Sequence, residues 1–564
     1  MGFRVTGRNV EKVTRQTAGH EGAPQDEGAP EATAPEAGPQ AGAGPAQLPA
    51  AAPHRGRHRL AVGLLTAVAA AGYSAFALIR FHTYLSASYD LVIFDQAVRS
   101  YAHLQPGISV MKGLHNGFGP HFSVLGDHWS PILAVLAPLY WVSNSPANLL
   151  VAQAVLFALA IPPLWMFTRR AFGGGAKATA AAYLVSAAYA LSWPIAAALA
   201  FDFHEVAFAP LLTAVALERL QAGRLRTALI ALAALLLVKE DMGFLIAGIG
   251  IYLAVDRPGT LRRPVLTGLI LVVVGLAASV VSIYVLIPAF GGRSGYYWAY
   301  GALGGNVPQV LGHIVIHPLS SLRMLVTPRV KLDTMLWLFG AFCFLPLRSP
   351  ITLAAVPLLL ERMLDSKFPN WWVTSFHYNA YLVIILVFAA VDGAARLDRS
   401  WAGVRDYFAA RRGRAGIASP GPGGDRRRTG TVALACSVAM IAVAIALIPR
   451  FAFGAALHPS FYHLTARARA EAAAAAAVPR GVTVEAVNYV GPHLSGRDTV
   501  LLWDGDGTTP LFSPWVVADV RHREFTFPSK RAERQRFALL EKHGYRVTFR
   551  RDGFVVLHAP GAGP

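Results

Sequence analysis

YDLVIFDQAVRSYAHLQPGISVMKGLHNGFGPHFSVLGDHWSP, residues 89–131, lies between two segments apolar enough to be membrane helices. It carries Asp90, Asp95, His103, His115, His121, Asp127 and His128. A plain connection between membrane helices is short and needs no such cluster. Long loops rich in titratable and aromatic residues more often do chemistry than merely connect. The stretch therefore reads as the lip of an active site on the outer membrane face, held and completed by the rest of the chain.

The chain around it has 564 residues, of which 54% are hydrophobic and 15% charged. Soluble domains carry about 25% charged residues, and several apolar runs here approach the roughly 20 residues that cross a bilayer. These values predict an all-α polytopic membrane protein. The formal charge is +19, but the arginines sit beside apolar runs. That is the positive-inside bias and not a nucleic-acid surface. The only cysteines, Cys343 and Cys436, fall inside apolar segments, so neither a disulfide framework nor a zinc site is indicated.

Residues 1–59 read as a cytoplasmic tail, rich in Ala, Pro, Gly and Glu and too poor in apolar surface to order itself. It ends in the basic HRGRHR at 54–59. Residues 60–448 read as the membrane core, with a long first extracytoplasmic loop at 81–147. Arginine clusters at 54–59, 169–170, 219–226, 257–263 and 396–428 all fall on one side if the chain crosses about eleven times, N-terminus in and C-terminus out. Residues 131–142 are too short to cross and read as juxtamembrane or re-entrant. Residues 307–330 read as amphipathic and interfacial. From 449 to 564 the pattern changes: VTVEAV at 482, TVLLW at 499, WVVADV at 515, YRVTF at 545 and FVVLH at 554 look like strands. Helical pieces lie near 465–477 and 529–542. This predicts a small α/β domain outside the membrane.

Three clusters could carry chemistry. Asp90 opens a helical pattern through Leu91, Phe94, Val98 and Tyr101, and is either a helix N-cap or a catalytic acid; Asp95 is the second candidate. His121, Asp127 and His128 suit a substrate or a divalent metal, though their spacing matches no metal motif and ordinary hydrogen bonding accounts for them equally. Asp202, His204 and Glu205 sit at a helix–helix turn, and Lys239, Glu240 and Asp241 interrupt an apolar interval. Ionisable groups near membrane depth are costly, hence paired or functional. A mutual Lys–carboxylate lock is the competing reading. The charge count puts all three clusters on the outer side, so they are expected to meet. Lys239, His204, Arg293 and Arg362 are the candidate phosphate holders. Gly491-Pro492-His493 and Arg497 read as a turn, and Trp371–Trp372 as an interface anchor.

YDLVIFDQAV, HFSVLGDHWSPIL, FDFHEVAFAPLL, LLLVKEDMG and, in the tail, NYVGPHLSGRD resemble the family of membrane proteins called domain of unknown function 2079, over about residues 60–560. That family is similar in layout to GT-C glycosyltransferases. The resemblance implies a multi-helix core, a catalytic acid in the first outer loop, an outer C-terminal domain and a sugar donor carried on a polyprenyl phosphate. The GT-C pattern fits Asp90, Phe94 and Ala97, although Asp90-Leu91 replaces its usual Asp-Glu pair.

The leading function is thus a glycosyl transfer from a polyprenyl-phosphate lipid to an envelope acceptor. The alternatives are a transporter using the buried charges as an ion relay and a non-catalytic envelope-assembly protein. The absence of an inverted repeat speaks against the transporter.

Overall fold

The computed structural model describes residues 54–411, 430–505 and 512–561. Most of the N-terminal tail and the SPGPGG linker lie outside the described residues.

Among the described residues, six helices are long and apolar enough to cross a membrane: Gly56–His82, Ala147–Ala171, Gly175–Ala200, Pro264–Ala289, His377–Val404 and Thr431–Arg450. With no water to satisfy backbone groups, helices are the way such runs can span. The most apolar window of His377–Val404 is 83% buried, against 22% for Gly56–His82 and 28% for Pro264–Ala289. The first is therefore a central pillar, and the other two form a lipid-facing rim.

Five further segments expected to cross appear as shorter helices: Phe208–Gln221, Leu225–Leu235, Met242–Asp256, Arg329–Gly340 and Val356–Met363. At 8–15 residues they reach only about 12–22 Å, short of the roughly 30 Å hydrocarbon core. Leu225–Leu235 stops before Lys239, and Val356–Met363 follows Pro350 and carries Pro357 in its first turn. Such ends are tolerated at membrane depth only where protein or a wet cleft surrounds them. Met242–Asp256 lies tightly on Pro264–Val281: a Cβ on Gly268 would fall 2.4 Å from the Gly250 carbonyl oxygen, and one on Gly243 2.2 Å from that of Gly275. Glycines let the two backbones touch, as in other membrane helix pairs.

One end of this bundle is an arginine belt. Arg396 bridges Asp392 and Asp256 at 2.7 Å each, and Arg170 meets Glu218 at 2.6 Å. The other end of the same helices carries His377 and Asp241. At 1.5 Å per residue, these lie about 28 Å and 22 Å along the axis from Arg396 and Asp256. The basic belt and the acidic–histidine groups thus occupy opposite ends.

Residues 131–142 form a 3-10 turn and the short helix Ala137–Val142, with Trp141 and Val142 exposed. Val307–Ile316 and Pro318–Met324 leave Leu311, Val315, Ile316 and Leu319 uncovered, as an interfacial pair would. Trp372 does not anchor an interface: it is buried, with the Lys331 ammonium 4.4 Å from its ring centre.

All five C-terminal strands form: β1 (Thr483–Ala486), β2 (Thr499–Leu502), β3 (Trp515–Asp519), β4 (Arg546–Arg551) and β5 (Phe554–His558). The order is β2-β1-β3-β5-β4. β1 pairs parallel to β2 and β3, while β5 pairs antiparallel to β3 and β4. Helices Ala466–Ala476 and Lys530–Lys542 accompany the sheet.

Candidate functional site

The first loop begins where helix α1 (His54–His82) ends, and helix α2 (Ser88–Ala102) opens it. The N-cap of α2 is Ala87, which has no capping side chain. Asp90 is therefore not the cap but lies within the first turn, where a carboxylate suits the helix dipole. The exposed amides are satisfied from elsewhere. Asp202 Oδ2 accepts from the Ala87 amide at 2.7 Å. The Asn488 carbonyl oxygen accepts from the Ser88 amide at 2.7 Å, and Asn488 Oδ1 accepts from the Tyr89 amide at 3.1 Å. Both the turn after Gly175–Ala200 and the C-terminal sheet region therefore hold the helix that presents Asp90.

Asp202 sits at φ 58°, a left-handed position that an Asp tolerates when locally bonded. Its carbonyl oxygen accepts from Gln153 Nε2 at 2.5 Å. Burial pushes its carboxyl up to about 6, against the Ala87 amide and Arg80. That turn swings His204 and Glu205 inward. His204 Nε2 lies 3.4 Å from Asp90 Oδ2, and the His204 ring stacks on His377 at 3.5 Å. Glu205 Oε1 lies 3.3 Å from Lys239 Nζ. Burial lowers the affinity of Lys239 for its proton, but Glu205, Asp241 and Glu240 outweigh it and keep the ammonium charged. Asp241 is buried, and its carboxyl is pushed up to about 6, chiefly by burial. Glu361 interacts electrostatically with Asp241 and Lys239.

The first loop reaches the same place by a second route. His128 Nδ1 meets Glu240 Oε1 at 2.6 Å, and the Trp129 amide donates to Glu240 Oε2 at 3.1 Å. Burial would lower the His128 pKa, yet Glu240 raises it above its ordinary value. Burial likewise raises Glu240, and His128 brings it below its ordinary value. Behind them, Asp127 Oδ2 pairs with Lys112 at 2.9 Å, and Asp127 Oδ1 accepts from the Tyr297 hydroxyl at 2.6 Å.

The first loop, FDFHE and the Lys-Glu-Asp turn thus converge, and Asp90, Asp127, His128, Asp202, His204, Glu205, Lys239, Glu240 and Asp241 belong to one connected set. Two candidates do not join it. His121 lies exposed. Asp95 is fully buried: its carboxylate accepts from Arg99 and the Tyr140 hydroxyl at 2.6 Å each and from the Ser495 hydroxyl. Arg362 is spent on the carbonyls of Trp371 and Tyr378 and on Asn379, and Arg293 lies exposed over the Phe118 ring. Gly491-Pro492-His493 is a helical turn rather than a simple loop. It packs His493 against Tyr84 and Phe81 at 3.7 and 4.5 Å. Sequence reasoning missed Glu361 and His377. The signal was their place at the two ends of the loop ERMLDSKFPNWWVTSFHY, between two apolar runs.

Both ring nitrogens of His204, Glu205 Oε2, Asp241 Oδ1, Glu361 Oε2 and His377 Nδ1 are buried without a hydrogen-bond partner. An unmet buried polar atom costs about 1–3 kcal/mol, and six of them lie in this one cluster. Among the described residues, no group of three or more His, Cys, Asp and Glu is arranged to hold a metal ion. Asp90 remains the open member, its side chain 29% exposed. A partly exposed carboxylate beside buried polar groups can accept a proton from a hydroxyl.

The family described as predicted membrane protein (DUF2079) matches residues 80–556. The chain belongs to the DUF2079 family. Members of this family are membrane proteins by that description, and the six apolar helices agree with it. No curated protein matches the chain. Among solved structures, ArnT from Cupriavidus metallidurans bound to undecaprenyl phosphate is 15% identical, with a TM-score of 0.46. The same protein in the apo state is 15% identical, with a TM-score of 0.43. Each match covers 87% of this chain and 98% of the other. Likeness at this level carries no chemistry from one protein to the other.

Proposed function

We propose that this DUF2079 protein is a membrane glycosyltransferase that moves a sugar from a polyprenyl-phosphate donor to an envelope acceptor at the outer face of the cell membrane. Asp90 takes the proton of the attacking hydroxyl. That oxygen bonds to the anomeric carbon, the bond to the lipid phosphate breaks, and the phosphate leaves with the electron pair. Lys239, whose ammonium stays charged, offsets the phosphate charge, with His204 beside Asp90. The observation that carries this reading is the partly open Asp90 at the mouth of a buried acid–histidine–lysine cluster whose polar atoms lack partners.

The arrangement in the membrane follows from charge. The arginine belt lies inside, so residues 1–59 form a cytoplasmic tail and residues 60–448 the core, with eleven crossings, five of them by short helices around the cleft. Residues 449–564 form an extracytoplasmic domain. The test is release of polyprenyl phosphate from labelled polyprenyl-phosphate sugars by the full chain in nanodiscs supplied with envelope extract. Asp90→Asn should lower transfer at least about 100-fold, the lower range of general-base catalysis. Full transfer by a well-folded Asp90→Asn protein refutes the acid. Solute flux through proteoliposomes without lipid-phosphate release would replace the reading with a transporter.

A further inference from the structure

The C-terminal region contains a cleft of about 340 Å³, within the size range of small-ligand sites. Its walls include Arg467, Asn488, Tyr489, Asp519, Glu524 and Phe525. Two features set it apart from a surface dimple. The first is its lining. Tyr489 and Phe525 are 39% and 52% exposed, two open aromatic side chains in a cleft whose other walls are polar. The charged groups, Arg523 and His522 among them, are held in place: Arg523 Nη1 donates to the Phe527 carbonyl oxygen at 2.5 Å, and His522 Nδ1 lies 3.1 Å from Asp519 Oδ2. Arg467 pairs with Asp519 at 2.9 Å, and Glu524 accepts from the amides of Asn488 and Phe525 at 3.2 and 3.1 Å.

The second feature is its place. Asn488, a wall of the cleft, is the same residue that bonds the first amides of α2. The Phe525 ring lies 6.1 Å from the Tyr89 ring, edge to face. The cleft therefore lies near Tyr89, the chain neighbour of Asp90.

The lining selects the ligand class. A phosphate or nucleotide would face the carboxylates of Asp519 and Glu524, with Arg467 already paired to Asp519 and Arg523 donating to the Phe527 carbonyl oxygen. An acyl chain would find no apolar wall beyond the two rings. A neutral pyranose or furanose ring fits both demands. Its C–H face lies on an aromatic face, and its hydroxyls both donate and accept, matching fixed carboxylates, amides and guanidinium groups. We propose that this cleft binds a sugar unit of the acceptor, so that the acceptor is a glycan whose neighbouring hydroxyl is delivered to Asp90. This rests on the transferase reading for its role, but the binding itself does not.

The experiment is saturation-transfer NMR and titration with the full chain in nanodiscs. The probes are hexasaccharides of glucose, galactose, mannose and arabinose. At least one should bind saturably to wild type and equally to Asp90→Asn. Phe525→Ala and Tyr489→Ala should each weaken it about tenfold, the upper range of one aromatic contact, whereas Phe525→Trp retains it. Both side chains are exposed, and unchanged gel-filtration profiles would exclude misfolding. If none of the four binds, or if binding ignores both alanine substitutions, the sugar site is refuted. Saturable binding by a wild-type protein that shows no transferase activity would sink the function above and leave the site standing. Transfer that continues unchanged in Phe525→Ala and Tyr489→Ala would do the reverse.

Discussion

Asp90 and Asp95 are five residues apart on one helix, and the structure puts them in opposite surroundings whose consequences substitution can separate. Asp95 is fully buried, with Arg99, Tyr140 and Ser495 converging on its two oxygens. Asp95→Ala leaves a guanidinium and two hydroxyls without their acceptor. Breaking a buried ion pair by removing one partner costs about 3–5 kcal/mol. The Arg99 side chain is 22% exposed and recovers some hydration, which sets the loss near the lower end, about 3 kcal/mol. Asp95→Asn keeps the shape but loses the charge; one charge-assisted hydrogen bond is worth about 1.5–3 kcal/mol. Asp90 is partly exposed, with His204 Nε2 3.4 Å away, and it caps nothing, so Asp90→Asn should cost under about 1 kcal/mol. Thermal unfolding of the full chain in detergent should therefore rank Asp95→Ala lowest, then Asp95→Asn, with Asp90→Asn close to wild type. Ser495 belongs to the C-terminal region, so both Asp95 variants should also speed its proteolytic release. Transfer assays should show the inverse specificity, with Asp90→Asn inactive at full stability. An unchanged midpoint and unchanged proteolysis in Asp95→Ala would refute the structural assignment.

The His128–Glu240 bridge makes a pH prediction. Its His has a raised pKa, so its stabilisation is full below the ordinary His value, about 6.5, and is lost as pH rises through the raised value. Its Glu has a lowered pKa, so that contribution is full above about 4.3 and is lost as pH falls further. The thermal advantage of wild type over His128→Gln should thus peak between these limits and shrink at alkaline pH; an advantage that grows with pH would contradict the bridge. Gly250→Val would drive a side chain into the backbone of Pro264–Val281 and should lower thermal stability by an overpacking cost of about 1–3 kcal/mol or more. A wild-type midpoint would deny the close helix contact. For topology, single cysteines in a Cys343→Ala, Cys436→Ala background at the exposed positions Ser294 and Thr499 should react with an impermeant thiol reagent in intact cells, and one at exposed Thr227 should not. Labelling at Thr227 alone would invert the scheme.

How much of this was legible depended on how local the signal was. The strands at 483–486, 499–502, 515–519, 546–551 and 554–558 announce themselves because alternation and β-branched residues act over a few neighbours. The convergence of FDFHE and the Lys-Glu-Asp turn on the first loop was legible through charge, since arginines at one end of each helix fix which turns share the other end. Helix lengths were not: hydropathy shows that a run is apolar, but not that a cleft permits it to stop after 11 residues, as Leu225–Leu235 does. Glu361 and His377 were missed because each is a single ionisable residue beside an apolar run, and only the fold brings His377 onto His204.

The hardest feature to read was the start of α2. The sequence offers Ala87 there, a poor cap, and local reasoning assigns the task to the nearest carboxylate, Asp90. The fold supplies the cap from Asp202 and from Asn488, 401 residues beyond Ala87. Because distant groups hold the helix end, the Asp90 carboxylate is spared from bonding its own backbone and remains turned toward His204 and the cleft. A locally capped helix would have fixed the acid to its own chain. This one leaves it free to take a proton, and ties its position to the region that contains the proposed sugar site.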